Sequence, residues 1–212
     1  MTAMREEMAA CCGRLAAQGL VSGSSGNISV RDGEGMLITP TGGAFERAEP
    51  RDMVPTGFDG AAEQGVPSSE WEMHAAIYRA HPDCGAVVHA HPDHCVALSC
   101  LRRPIPAFHY MVAAFGGDDV PSTAYHPFGG TALARAAAEA LADRKAALLG
   151  NHGMICRGPT LAAAADLAVK LETLARQYHL ARQVGEPELL TAEEMAEVRR
   201  RYGFYGRARL PR

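Results

Sequence analysis

The sequence has no apolar run that is long enough to cross a bilayer. Its apolar segments, such as residues 86–90 and 146–149, are far shorter than the roughly 20 residues that a membrane-spanning helix needs. The first residues, MTAMREE, lack the apolar stretch that is typical of a signal peptide. We therefore predict a cytoplasmic protein with no membrane partner.

The chain also lacks an excess of charge of one sign and a regular cysteine spacing. The net charge of −3 leaves no surplus of basic residues for a nucleic-acid partner. Six cysteines are present, but their positions match neither a zinc ribbon nor a redox motif, and Cys11 and Cys12 are adjacent. Free thiols in a reducing compartment are the expectation.

What is present suits an ordinary globular protein. The 212 residues, 47% hydrophobic and 21% charged, are enough to bury a substantial core. We predict one domain over residues 1–212, in which residues 202–212 form a C-terminal tail.

The periodicity of the apolar residues predicts both helices and strands. Helices are expected at about 2–18, 70–80, 93–99, 131–142, 160–184 and 192–202, and strands at 28–30, 36–39, 85–91, 146–149 and 154–157. Residues 47–65 have the composition of a loop. Because strand pairs of hairpin type alternate with single helices, the order favours an α/β or α+β sandwich with a largely antiparallel sheet.

Histidines supply the first candidate site. His89 and His91 are two residues apart on a predicted strand, so both imidazoles project to the same side of the sheet. His152 lies in a glycine-flanked turn between two apolar strands. Each of these features is also common without a metal, but three histidines with an open fourth position are typical of catalytic zinc. Glu70, at the head of a predicted helix, is the candidate for that fourth position.

Other histidines have weaker claims to a role. His74 lies one helical turn after Glu70, where its simplest role is to orient that carboxylate. His94, one turn beyond His91, is either a further ligand or a supporting group. His81 is placed to cap the end of its helix.

A second candidate site consists of small polar residues that come without a lysine. Backbone amides, hydroxyls and a helix N-terminus can together hold a phosphate group through their dipoles. The residues that could contribute are Gly26, Asn27, Thr41, Gly42, Ser68 and Ser69. None of these segments matches a nucleotide-binding fingerprint, so ATP or NAD chemistry is not expected.

Six segments together resemble the class II aldolase and adducin family. They are GSSGNISVR at 23–31, MLITPTG at 36–42, PSSEW at 67–71, AVVHAH at 86–91, IPAFHYM at 105–111 and LLGNHG at 148–153. The resemblance covers nearly the whole chain in the family's order. It implies a single-domain, three-layer αβα sandwich around a largely antiparallel sheet, assembled as a homotetramer whose active sites lie between subunits.

The resemblance also implies roles for individual residues. One Zn²⁺ per subunit would be held by His89, His91, His152 and Glu70, and Glu70 would also be the catalytic acid or base. The phosphate-binding residues would be the six small polar residues named above. Tyr110 would be a proton donor from the neighbouring subunit, and Tyr205, with Tyr202 as the alternative, a tail tyrosine that closes the site.

The implied activity is the reversible cleavage of a ketose 1-phosphate, fuculose 1-phosphate or a close relative, to dihydroxyacetone phosphate and a hydroxyaldehyde. Ala90 and Asn151 depart from the family pattern and bear on which aldehyde is accepted. The alternatives are a dehydratase, decarboxylase or 4-epimerase acting on a related phosphorylated sugar at the same zinc site. A non-catalytic assembly module of the adducin type is the alternative from another class, and Glu70 with its three histidines argues against it.

Overall fold

The computed structural model describes residues 2–202 and is built around one six-stranded sheet. The strand order is β3-β2-β1-β4-β6-β5, and every neighbouring pair is antiparallel. The strands are β1 (Asn27–Asp32), β2 (Gly35–Ile38), β3 (Val54–Gly57), β4 (Ala86–Ala90), β5 (Ala146–Leu149) and β6 (Gly153–Gly158). This confirms the predicted antiparallel sheet.

Helices cover both faces of the sheet. They are α1 (Thr2–Ala17), α2 (Trp71–Ala80), α3 (Asp93–Ser99), α4 (Thr131–Ala140), α5 (Leu161–Val184) and α6 (Ala192–Tyr202). Alternate residues of one strand enter opposite cores: Val88 packs with α1, α3 and α5, whereas Val87 packs with α2 and α4. The three-layer αβα arrangement is thereby confirmed.

The loop predicted for residues 47–65 is wrong in part. This stretch contains the short 3₁₀ helix Pro50–Asp52 and the edge strand β3. Pro55 interrupts the sequence signal of the strand, but a proline is tolerated at an edge because its missing N–H is not needed there. A further 3₁₀ helix, Tyr110–Phe115, was not predicted, and α4 ends two residues earlier than expected.

Three other expectations concern the chain as a whole. All six cysteines are free thiols, as expected, and Cys100 is exposed. Within residues 2–202 no helix has both the length and the apolar character that a membrane span requires. Tyr202, the first residue of the expected tail, belongs to α6; the remainder of that tail lies outside the described residues, and the single domain over 1–212 stays a prediction.

Candidate metal centre and active site

Two adjacent antiparallel strands bring three histidines to one point. His89 lies in β4 and is fully buried, His91 follows the end of that strand, and His152 lies in the turn between β5 and β6. The ring centroids of His89 and His91 are 4.7 Å apart, and each lies 4.8 Å from the ring centroid of His152. The predicted same-side placement of the strand histidines is confirmed.

The turn that carries His152 is held by backbone geometry and by α3. Asn151 has a left-handed φ of 53°. Ser99, at the end of α3, accepts hydrogen bonds from both turn amides, at 3.2 Å from Asn151 N to its carbonyl and 3.3 Å from His152 N to its hydroxyl. A side chain at Gly153 would place its Cβ 2.6 Å from the carbonyl oxygen of Ala90, so only glycine lets the two strands approach here.

Glu70 reaches the same point from the N-cap of α2. Its Oε2 lies 3.0 Å from Nε2 of His89, and its Oε1 lies 3.5 Å from Nε2 of His152. Ser68 Oγ accepts from the backbone N–H of Glu70, at 3.3 Å, one residue before the helix begins. Glu70 is therefore the residue at the helix head.

The four side chains offer ligand atoms that all lie within 4.8 Å of one another. Nδ1 of His89 lies 2.8 Å from the carbonyl oxygen of Met154, which can only accept, so Nδ1 carries the hydrogen. When His89 is neutral, its Nε2 therefore presents a lone pair, 2.8 Å from Nε2 of His91 and close to the Glu70 carboxylate; a proton on Nε2 makes the ring a cation. Lone pairs at this separation repel unless a proton or a metal cation lies among them. Three imidazoles and one carboxylate are a donor set that fits Zn²⁺ and similar divalent metals.

The electrostatics of the cluster favour metal-binding protonation states. Burial lowers the pKa of His91 to about 3 and that of His152 to about 4, and His89 adds to both shifts whenever it is protonated. Burial alone would raise the pKa of Glu70, but the charge and hydrogen bond of protonated His89, helped by the amide of Asn27, hold that pKa well below its usual range. Two neutral imidazoles and an ionised carboxylate are thus present at neutral pH, which is what metal binding needs.

A cavity of about 320 Å³ opens above the cluster, with Glu70, His91 and His152 in its wall. All six of the expected phosphate-binding residues line it: Gly26, Asn27, Thr41, Gly42, Ser68 and Ser69. A bridge between Pro40 and Pro67 joins the two loops that carry four of them. Among the described residues that line this cavity there is no lysine and no arginine. The wall therefore offers hydroxyls, amides and the head of α2 rather than fixed positive charge.

The side chain of one of these six residues, Asn27, is held by two neighbouring side chains. Nδ2 of Asn27 donates to Oε2 of Glu70 at 3.0 Å, and its Oδ1 lies 2.6 Å from Nε2 of His74. The carboxamide of Asn27 is therefore engaged with the metal-site carboxylate. Gly26, beside it, has φ of 79°, and a Cβ there would lie 2.8 Å from the carbonyl oxygen of His89.

The sequence reasoning missed one wall of the cavity. Tyr125, His126 and Phe128 line it, and the side chain of Phe128 is 73% exposed. Aromatic residues within a proline- and glycine-containing loop, directly before α4, are the signal that could have indicated them. Ser24, Ser25 and Asn151 also line the cavity without having been predicted to do so.

Two candidates lie elsewhere, and a third falls outside the described residues. Tyr110 is 51% exposed at the start of its 3₁₀ helix and lines a separate cavity beside α5 and α6, which excludes a core position within the single chain. His94 is not part of the cluster, because its Nδ1 lies 2.7 Å from Oε1 of Glu172. Tyr205 lies outside the described residues.

Comparisons with known proteins show what the chain is similar to. The family model described as "Class II Aldolase and Adducin N-terminal domain" matches residues 6–179. A Rhodospirillum rubrum protein named 5-methylthioribulose-1-phosphate/5-deoxyribulose-1-phosphate aldolase is 46% identical over 99% of this chain and 96% of its own length. An Escherichia coli L-fuculose phosphate aldolase is 44% identical over 92% of each chain.

A solved structure supports the same relationship. A structure titled L-fuculose 1-phosphate aldolase superposes with a TM-score of 0.92 at 36% identity, covering 96% of this chain and 98% of the other. Both fold and sequence therefore relate the chain to aldolases.

Proposed function

The chain belongs to the class II aldolase and adducin family, and on that premise we propose that it cleaves a ketose 1-phosphate reversibly into dihydroxyacetone phosphate and an aldehyde, with Zn²⁺ as its metal. The observation that carries the proposal is the group of Glu70, His89, His91 and His152, whose ligand atoms converge beside a cavity whose described lining has hydroxyls and amides but no lysine or arginine.

The two halves of the cavity suit the two halves of such a substrate. The phosphate would lie against Thr41, Gly42, Ser68 and Ser69, where hydroxyls, amides and the N-terminus of α2 stabilise an anion. Binding at this remote group orients the reacting carbons toward the histidines. No lysine lines the described wall, so the structure offers no amine there for Schiff-base chemistry.

In the condensation direction, Glu70 would accept the proton from C3 of dihydroxyacetone phosphate, and the resulting carbanion would attack the aldehyde carbonyl. Zn²⁺, when bound by the three histidines, supplies Lewis-acid stabilisation for the negative charge that develops on the oxygens of dihydroxyacetone phosphate. Tyr110 would give its phenolic proton to the aldehyde oxygen. Both side chains then return to their starting protonation states by exchange with solvent.

Tyr110 needs a partner chain for this role. It is half exposed and does not line the cavity of its own chain. We propose that the protein is a homotetramer in which Tyr110 enters the cavity of a neighbouring subunit, with Tyr205 of the tail closing the same site. Tyr110 is exposed and belongs to IPAFHYM, one of the segments that resemble the family, and both facts support this assignment.

The identity of the aldehyde is proposed from the relatives. Fuculose 1-phosphate, or a close relative, is the first candidate substrate. The 46% identical relative favours a second candidate, 5-deoxyribulose 1-phosphate or 5-methylthioribulose 1-phosphate, whose aldehyde product has no hydroxyl group. The exposed ring of Phe128 and the ring of Tyr125 in the cavity wall suit such an apolar group.

A coupled assay for dihydroxyacetone phosphate tests the proposal with all three ketose 1-phosphates, and an assay for the aldehyde product extends it to their unphosphorylated ketoses, which would release dihydroxyacetone. We expect at least one phosphorylated compound to be cleaved, with a much higher KM for its unphosphorylated form. Phe128→Ala is the accompanying variant, and a selective loss with the 5-methylthio compound would favour that substrate. Release of product by dehydration or decarboxylation, without dihydroxyacetone phosphate, would refute the aldolase assignment.

A further inference from the structure

A chain of buried hydrogen bonds runs beneath the cavity from β1 to Glu70. Ser29 Oγ lies 2.6 Å from Nδ1 of His74, Nε2 of His74 lies 2.6 Å from Oδ1 of Asn27, and Nδ2 of Asn27 lies 3.0 Å from Oε2 of Glu70. We call these four residues the buried relay. Ser29 and His74 are 0% exposed, Asn27 is 5% exposed and Glu70 is 6% exposed.

The chemistry of the end group fixes the direction of every bond. An ionised carboxylate can only accept, so Asn27 must turn its NH₂ group toward Glu70 and its carbonyl oxygen toward His74. His74 must then carry its single proton on Nε2, because it faces an acceptor there. Its Nδ1 therefore accepts from the Ser29 hydroxyl, which leaves the Ser29 oxygen to accept from Tyr78, 2.8 Å away.

We propose that His74 is a positioning residue for the proposed aldolase: its Nε2–H form sets the orientation of the Asn27 amide, which in turn holds the base Glu70. In the opposite orientation the amide would turn its oxygen toward the carboxylate, and two acceptors would face each other in a buried site. The hydrogen bonds of the relay therefore select one of two orientations of the Asn27 amide, which differ only in the exchange of its oxygen and its NH₂ group.

The relay holds only one oxygen of the base. Oε2 of Glu70 accepts from Asn27, whereas Oε1 is buried without a hydrogen-bond partner among the described residues. The carboxylate thus keeps one fixed and one free oxygen beside His152. A base that must exchange between the metal cluster and a substrate carbon needs such an anchor, since a misplaced carboxylate loses the near-attack geometry.

The first test is spectroscopic and does not depend on activity. Nitrogen NMR of protein labelled with ¹⁵N-histidine reports which ring nitrogen of His74 carries the proton, with His74→Gln used for assignment. We expect the Nε2–H form in substrate-free wild-type protein. A proton on Nδ1 would overturn the proposal, whether or not the protein cleaves a sugar phosphate.

The second test uses two hydroxyl deletions on either side of one bond. Ser29→Ala removes the donor to His74, so we expect a mixture of tautomers and a kcat lower by about 10-fold to 100-fold, with a smaller change in KM. Tyr78→Phe removes a hydroxyl that reaches the Ser29 oxygen from outside the relay, so tautomer and kcat should remain near wild type. Equal effects of the two variants would indicate a purely structural role and overturn the proposal.

A third variant covers the case in which Ser29→Ala does not fold. Asn27→Asp keeps an acceptor for His74 and removes the donor to Glu70, so we expect the Nε2–H form to persist while kcat falls. An unchanged kcat in this variant would overturn the proposal. A wild-type protein with the expected tautomer but without aldolase activity would support the relay and refute the proposed function, so the two failures are distinguishable.

Discussion

Glu70 and His89 meet where α2 begins and β4 ends, with Oε2 of the first 3.0 Å from Nε2 of the second. Glu70 is the N-cap residue of α2 and His89 is the fourth of the five residues of β4, so the contact joins a helix head to a strand end. The distance places the proposed base within reach of the proposed metal ligands. Any change that moves α2 against β4 should therefore alter metal binding and proton transfer together.

His91→Ala tests the metal site. His91 lies beyond the last residue of β4 and is only partly buried, so the variant should remain folded. We expect zinc content and activity to fall together, because one of three imidazole ligands is lost. His94→Ala is the matched control, since His94 pairs with Glu172 outside the cluster. Full zinc retention by His91→Ala, measured by elemental analysis, would remove His91 from the ligand set.

Glu70→Gln separates binding from proton transfer. The amide keeps the size of the side chain and removes the base, so proton exchange at C3 of dihydroxyacetone phosphate should slow by about 100-fold to 10,000-fold. Binding of dihydroxyacetone phosphate should change much less. Glu72→Gln, at the second residue of α2, is the control. Exchange at the wild-type rate in Glu70→Gln, followed by NMR in deuterated water, would mean that another group moves the proton.

Mixed oligomers test the shared site. Tyr110→Phe and Glu70→Gln should each be inactive, and co-assembly should restore activity if the tyrosine acts in a neighbouring subunit. In a random equal mixture about one interface in four carries both intact residues, as expected for head-to-tail contacts in a ring. Native mass spectrometry checks that subunits have mixed. A mixed but inactive population would place each active site within a single chain.

Acid should destabilise the metal-free protein through its buried histidines. Burial lowers the pKa of His74 to about 3, from an ordinary value of 6.5 in the unfolded chain. The unfolded state therefore binds more protons as the pH falls below 6.5, and each such histidine removes up to about 1.4 kcal/mol of unfolding free energy per pH unit until its folded pKa is reached. His91 and His152 act in the same direction.

Urea unfolding of chelator-treated protein at several pH values between 6 and 5 measures this dependence of the unfolding free energy on pH. The range is chosen to lie above the pH at which Glu70 titrates in the unfolded chain. His74→Gln should reduce the slope, although it lowers stability at neutral pH. An identical slope in wild type and variant would show that His74 is not held neutral by its burial.

Much of the site could be predicted from local patterns. The spacing of His89 and His91 needs only the two-residue period of a strand, and the glycine-flanked turn at His152 is visible in the sequence. The helix expected at 93–99 coincides with α3 (Asp93–Ser99). These features depend only on residues that are close to one another in the sequence, so they can be predicted without knowledge of the fold.

Contacts between distant segments could not be predicted in the same way. The relay joins Asn27 to residues 43 and 47 positions away, and nothing local distinguishes an amide that faces a phosphate from one that faces a carboxylate. Strand β3 was missed because Pro55 breaks its pattern, and only pairing with β2 makes it a strand. The aromatic wall at Tyr125 was missed because loops have no periodicity.

Removal and return of the metal test the central claim most directly. Release of dihydroxyacetone phosphate from the best ketose 1-phosphate is measured for protein as purified, after dialysis against a chelator, and after addition of one equivalent of Zn²⁺. We expect activity to be lost with the metal and recovered with it, and we expect His152→Ala not to recover. Full activity in protein shown by elemental analysis to be free of metal would refute a metal-dependent aldolase.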